Sequence, residues 1–257
     1  MRLKNEDAWR DALGHLLPCK RQANVVKWKS ISRLMPYIRD RVIVLKKEPF
    51  REHDRRYLLY GRDHGLLSAV ARGTSLGHSK QAGHLEPFSE TEVMLAKGAA
   101  FDKLAVARMI TVPPVTRRLA FYAVCGAFTD LIIRLNRPGI ADERIFNLLR
   151  ELTQSLDYLP RDPTPERARL MLATVTLKLL DILGFAPIIH RSPENTTPVQ
   201  SLALAAFMRE SPLLDVWRVT GQTDVFQAAA AFVEEALKVT HLEERPRGPE
   251  AVHALLA

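Results

Sequence analysis

The chain changes its hydrophobic period once, at Pro113-Pro114, and that change limits what it can fold into. From Arg41 to Ile110 the apolar residues fall in short runs bounded by turn formers, the pattern of strands. Beyond the two prolines they recur at helical spacing. Strands first and helices afterwards predict an α+β chain, a β domain followed by a helical one. The five β-runs are RVIVLKK (41–47), RRYLLYG (55–61), LLSAVAR (66–72), FSETEVMLAK (88–97) and KLAVARMI (103–110). Between the second and third, Gly61-Arg-Asp-His-Gly65 reads as a tight hairpin connection. In the fourth, Glu90 and Glu92 alternate with Val93 and Leu95, which predicts one wet and one dry face. Five short strands suit a small closed barrel better than a two-layer sandwich, which needs more of them.

Helices are predicted near 115–135, 141–158, 164–183, 198–210 and 222–241. The third carries an apolar stripe of Leu170, Val175, Leu177, Leu180 and Leu183. Thr164 offers an N-cap with Pro165 at the first helical position, and Gly184 a stop. HRSPENTTP (190–198) reads as loop, and the residues from Glu244 as a frayed tail.

The chain has 257 residues, 47% of them hydrophobic and 26% charged, an ordinary soluble balance. No apolar run approaches the ~20 residues that cross a bilayer. The N-terminus lacks the unbroken apolar core of a signal peptide. Cys19 and Cys125 make neither a disulfide framework nor a four-thiolate zinc site, so a cytoplasmic protein is expected. Charge is uneven along the chain. Residues 1–34 hold 8 basic against 3 acidic side chains, residues 35–115 hold 13 against 9, and the remainder 16 against 17. The basic N-terminal part suggests a polyanion partner, with solubility tuning as the alternative. A short amphipathic helix near 5–17 and a basic linker precede Met35. Translation is expected to start at Met35, with the residues before it an upstream extension; a native peptide covering Trp9 in mass spectrometry would refute this.

One stretch concentrates charge: KKEPFREHDRR, residues 46–56, between the apolar runs VIVL and YLLYG. Its Glu52-His53-Asp54 triplet evokes acid–base chemistry. Consecutive residues diverge, however, whereas catalytic groups converge from separate segments, and no established catalytic motif accompanies them. No catalytic residues are therefore assigned. His64, His78 and His84 lack cysteine partners or paired spacing, so no metal site is assigned either. The glycine-bearing loop 73–83 lacks the helix that a phosphate cradle needs. The cations are more informative. Lys46, Lys47, Arg51, Arg55 and Arg56 fall at the end of one strand, in the next loop and at the start of the following strand, positions that meet at one barrel rim. Arg72 and Lys80 bracket a loop that can fold over the same surface. Phe50, Tyr57 and Tyr60 are candidate stacking faces, although Tyr57 also fits the barrel core. Cations on phosphates with bases stacked on aromatics hold single strands without sequence preference.

VIVLKKEPFREHDRRYLLYGRDHGLLSAVARG, the SKQAGHLEPF loop and the LDILGFAP helix end resemble, in that order, the bacterial RecO family of DNA repair proteins. The resemblance runs from about Tyr37 to Pro187, and more weakly to about Leu242. It implies an OB-fold barrel at residues 37–112, a helical domain at 113–243, and a flanking extension (1–36) and tail (244–257). It also implies binding of single- and double-stranded DNA, annealing of complementary strands in recombinational repair, partnership with RecR and the single-stranded DNA-binding protein, and association with the nucleoid during repair. It supports the start at Met35. One departure stands out: many members carry a four-cysteine zinc module after LGFAP. Here that interval is IIHRSPENTTPVQSLA, without cysteine, and His190 alone cannot hold zinc, so no metal or other cofactor is expected. Arg134 and Arg137, at the end of the first long helix, are candidate contacts for an acidic partner peptide. The rival readings are an RNA-binding barrel and a protein-binding adaptor; an enzyme ranks last for want of a convergent site.

Overall fold

The computed structural model describes residues 37–75, 79, 81–111, 119–155, 158, 164–187, 199–219 and 223–239. The expectations for residues 1–36 and 244–257, and for Lys80, His78 and His190, lie outside them. The described strands are β1 (Tyr37–Pro49), β2 (Arg55–Gly61), β3 (Gly65–Ala71), β4 (Glu90–Ala96) and β5 (Asp102–Thr111). They close into a barrel in the order β1-β2-β3-β5-β4. Only the β3–β5 pairing is parallel. A closed five-stranded barrel of this order is an OB-fold.

β1 begins four residues earlier than its apolar run. Tyr37–Asp40 pair with the C-terminal half of β4, whereas Val42 onward pairs with β2. A bulge between Val44 and Lys46 bends the strand so that it serves both neighbours. The unbroken VIVL run follows from burial on two sides. Val42 and Val44 join Tyr57, Leu59, Ala69 and Leu95 inside the barrel. Ile43 and Leu45, pointing outward, join Phe121 and Phe128 in a second core shared with the helices. The sequence predicts a wet outer face on β4, and the fold corrects that at Glu90. Its side chain is 7% exposed, set between Arg41 (3.4 Å) and Arg150 (3.8 Å), because helices cover this end of the barrel. Glu92, two residues on, is exposed.

The described α-helices are α1 (Leu119–Leu135), α2 (Glu143–Ser155), α3 (Pro165–Ile182), α4 (Val199–Glu210), α5 (Leu213–Arg218) and α6 (Thr223–Val239). α3 is the central one. Met171, Val175 and Leu179 face the core shared with the barrel, and Leu170, Ala173 and Leu177 face α4 and α6. Its ends follow the predicted caps. Thr164 Oγ1 accepts the Arg167 N–H, and Pro165 takes the first helical position. At the other end Gly184 sits at φ +80°, with the Phe185 N–H on Leu180 O and the Gly184 N–H on Asp181 O, a Schellman arrangement. The short α5 has no counterpart in the sequence reading, because six residues are too few to show a period. Its first amide, Leu213 N–H, is capped from a distance by Glu151 Oε1 at 2.7 Å.

Barrel and helices meet at the β2–β3 hairpin. The Gly139 N–H of the α1–α2 loop donates to Leu66 O at 3.1 Å. The Tyr60 hydroxyl donates to Asp142 O, and Arg62 pairs with Glu143. Gly65 sits at φ +63°, and a Cβ there would lie 2.0 Å from Ile140 O, so only glycine allows the loop to seat this closely. The hairpin turn itself is tied by Asp40. Its buried carboxylate accepts the Asp63 and His64 amides and the His64 Nδ1–H.

Candidate nucleic-acid interface

Cross-strand partners share a face, so the register sorts the charged stretch. Lys46 lies opposite Leu58 and Glu48 opposite Arg56, on the outer wall; Lys47 lies opposite Tyr57, whose side chain is inside the barrel. Between Pro49 and Arg55 the chain turns in a five-residue β1–β2 loop. This loop closes on itself through the Phe50 N–H on Asp54 O (3.1 Å) and the Asp54 N–H on Arg51 O (3.3 Å). Asp54 Oδ1 accepts the Gly73 N–H, and His53 O accepts the Ser75 N–H, so the segment after β3 is laced to the same loop. Glu52 and His53 point into solvent as a charged connection.

The β4–β5 loop arrives at the same rim and brings Phe101, a residue absent from the sequence-based candidates. Phe50 and Phe101 pack edge to face with centroids 5.3 Å apart. Two guanidiniums flank them. Arg56 lies 5.0 Å from the Phe50 centroid, and Arg51 lies 5.3 Å from Phe50 and 5.8 Å from Phe101. Each such contact in a partly solvated setting is worth ~0.5–1 kcal/mol, enough to favour an orientation but not to remove the cations from solvent. Both rings stay half-buried, and Arg51 and Arg56 stay exposed. The only hint of Phe101 in the sequence is an aromatic side chain placed in a turn of small and charged residues.

The other candidates divide. Arg55 donates to Ser75 Oγ at 3.1 Å, and Arg72 is exposed one residue past the end of β3, so both line the same rim. Lys46 is held by Glu48 at 3.0 Å and Lys47 by Glu86 at 2.7 Å, so these two cations already have acidic partners. Two of the three stacking candidates are corrected: Tyr57 is 1% exposed inside the barrel and Tyr60 is fully covered by the helices. Burial pushes the Tyr60 hydroxyl up to about 12. Arg134, in the last turn of α1, and Arg137, just beyond it, are exposed far from this rim along the chain. Among the described residues there is no group of three His, Cys, Asp or Glu side chains placed to hold a metal ion. None of the described helices is long and apolar enough to cross a membrane.

The two loops that meet here are the β1–β2 and β4–β5 loops, which with the β2–β3 face bind oligonucleotides and oligosaccharides in OB-folds. The arrangement pairs an aromatic edge with cations on flexible stems. Such a pairing of rings and cations has the chemistry to stack a base and neutralise neighbouring phosphates.

Residues 35–113 match the family described as "Recombination protein O N terminal". The DNA repair protein RecO of Gloeothece citriformis is 27% identical over 175 residues, 66% of this chain and 61% of that protein. The corresponding protein of Rubrobacter xylanophilus is 32% identical over 154 residues, 60% of each chain. That of Geobacter sulfurreducens is 31% identical over 149 residues, 58% of this chain and 59% of the relative. The matches span about three fifths of the length of these curated relatives. Residues 35–113 thus match the N-terminal domain of Recombination protein O, and over about three fifths of its length the chain is similar to proteins named DNA repair protein RecO.

Proposed function

We propose that this protein is a non-enzymatic DNA-binding mediator of DNA repair and recombination that anneals complementary strands, acting with RecR and the single-stranded DNA-binding protein. The observation that carries the reading is the Phe50–Phe101 pair between Arg51 and Arg56, formed where the two ligand-binding loops of an OB barrel converge. Similarity to relatives named DNA repair proteins supports the biological setting. In this mechanism the rim neutralises backbone phosphates and base pairing supplies sequence specificity, so the protein needs no base-edge contacts. The helical domain docks protein partners, with Arg134 and Arg137 the proposed contacts for an acidic peptide. The zinc module that many RecO proteins carry would fall in the interval 188–203, of which 188–198 lie outside the described residues, and the lack of cysteine in that interval supports a metal-free protein.

The test is annealing of complementary strands coated with single-stranded DNA-binding protein, with and without RecR. Faster annealing that depends on this protein is the expected result. Replacing Arg55 and Arg56 by Ala should weaken single-strand binding and lower its salt slope by about 1.4, at ~0.7 per phosphate contact. An unchanged slope would show that the rim does not meet the backbone. Tighter binding of structured RNA than of single-stranded DNA would favour the RNA-binding alternative.

A further inference from the structure

A second stretch of the barrel wall exposes side chains, on the outer side of β1, β4 and β5. The register lays it out as three rows across the strands: Tyr37–Ala96–Lys103, Arg39–Met94–Val106 and Arg41–Glu92–Arg108. Their inward neighbours, Val93 with Ala107 and Leu95 with Leu104, fill the barrel core, so these rows face out. Tyr37 is 57% exposed and Ile110, next along β5, is 41% exposed; Met94 and Val106 lie half-exposed between them. Among the described residues, Arg39, Arg41, Lys103 and Arg108 stand on this wall, and Glu92 is its exposed carboxylate. Arg41 turns to the covered Glu90 of the next row, at 3.4 Å. The first row also runs on around the barrel. Lys103 lies beside Val70 of β3, which lies beside Arg56 of β2. The wall therefore joins the Phe50–Phe101 rim through Lys103.

We propose that this β1–β4–β5 wall is a second surface for a single-stranded nucleic-acid backbone, holding the second of two strands while the rim holds the first. The inference rests on the single-strand reading of the rim. Neighbouring strands lie ~4.8 Å apart, which puts the backbones beneath Arg41 and Arg108 ~10 Å from each other across the wall. That width takes a chain of phosphates along it, and the exposed Tyr37 ring, with the half-exposed Met94 and Val106, offers sequence-tolerant contact to bases. Charge complementarity selects the occupant: among the described residues each row carries at least one cation, Lys103 and Arg108 lie along β5, and Glu92, opposite Arg108, is the exposed acid, a balance that suits an extended polyanion. Two strands held on adjoining walls are raised in local concentration relative to each other, which is what annealing without base recognition requires.

The experiment is a stoichiometric titration of the full chain with a non-complementary oligonucleotide of about 10 nucleotides, within the ~4–16 that one OB barrel covers. Two oligonucleotides per chain are expected. Arg108→Gln should weaken the second binding event about three- to tenfold and leave the first within twofold. Glu92→Gln removes the exposed acid, needs no refolding at this surface position, and should tighten the second event. Arg56→Ala should weaken the first. Saturation at one oligonucleotide per chain, or two events indifferent to Arg108→Gln and Glu92→Gln, overturns the second surface while leaving the rim in place. A response of both variants to an acidic peptide but not to the oligonucleotide assigns the wall to a protein and equally overturns the proposal. No binding event at all refutes the rim reading itself.

Discussion

Gly65→Ala should separate two effects that glycine performs at the seam between barrel and helices. At φ +63° an alanine is strained by ~1–2 kcal/mol. Its Cβ would also fall 2.0 Å from Ile140 O, a backbone atom that cannot swing away. The α1–α2 loop must then lift, which strains the packing by ~1–3 kcal/mol and loosens the Gly139 N–H to Leu66 O bond, worth ~0.5–1.5 kcal/mol. The expected loss is roughly 3–5 kcal/mol, a large part of the ~5–15 kcal/mol available to a folded domain. Gly139→Ala is the control. It too sits in the left-handed region, at φ +77°, but nothing lies within 4 Å of its added Cβ, so only the conformational ~1–2 kcal/mol should be lost. Urea unfolding of the three proteins, followed by a barrel-sensitive and a helix-sensitive probe, measures the difference. Equal losses in the two variants would falsify the close seating of loop on hairpin. The hairpin lies at the opposite end of β2 from the rim, so folded Gly65→Ala protein should retain oligonucleotide binding.

Other consequences are more local. Thr164→Ala removes the N-cap of α3 and should cost ~1 kcal/mol by urea unfolding, with Thr164→Ser close to neutral. The Tyr60 hydroxyl, held up at about 12 by burial, keeps its proton where an unfolded tyrosine loses it near 10, so its contribution is complete below pH ~10 and is lost as pH rises toward 12. Tyr60→Phe should therefore flatten the alkaline limb of the stability profile, and the late phenolate absorbance of the native protein should lose amplitude in that variant.

The barrel was legible because each β-run is short, bounded by turn residues and placed before a change of period. Thr164, Pro165 and Gly184 marked α3 by local backbone chemistry, which needs no knowledge of the rest of the fold. What local text could not show was anything decided by a distant partner. Tyr37–Asp40 extend β1 because β4 is there to pair with them, not because of their own pattern. Lys47 is held by Glu86, 39 residues away, and Glu90 is buried by Arg150 of a helix beyond the barrel. Tyr60 alternates correctly toward the outer face, yet that face is covered by α1 and the α1–α2 loop. Phe101 belongs to the rim only because barrel closure brings the β4–β5 loop to the β1–β2 loop. KKEPFREHDRR thus contributes half of the candidate site, Phe50 with Arg51, Arg55 and Arg56, and the other half comes from fifty residues downstream.

Stacking on Phe50 and Phe101 at that junction is what would hold a single strand at the rim. Single-strand affinity should be measured as a function of salt for the wild-type chain and for the Phe50→Ala/Phe101→Ala variant. Base stacking on aromatics is worth ~1–3 kcal/mol per base, so the variant should bind roughly 5- to 150-fold more weakly at every salt concentration. The slope of log affinity against log salt should stay the same, because no phosphate contact is removed. Unchanged affinity would contradict stacking at the rim, and a lowered slope would mean that the rings only support the arginines.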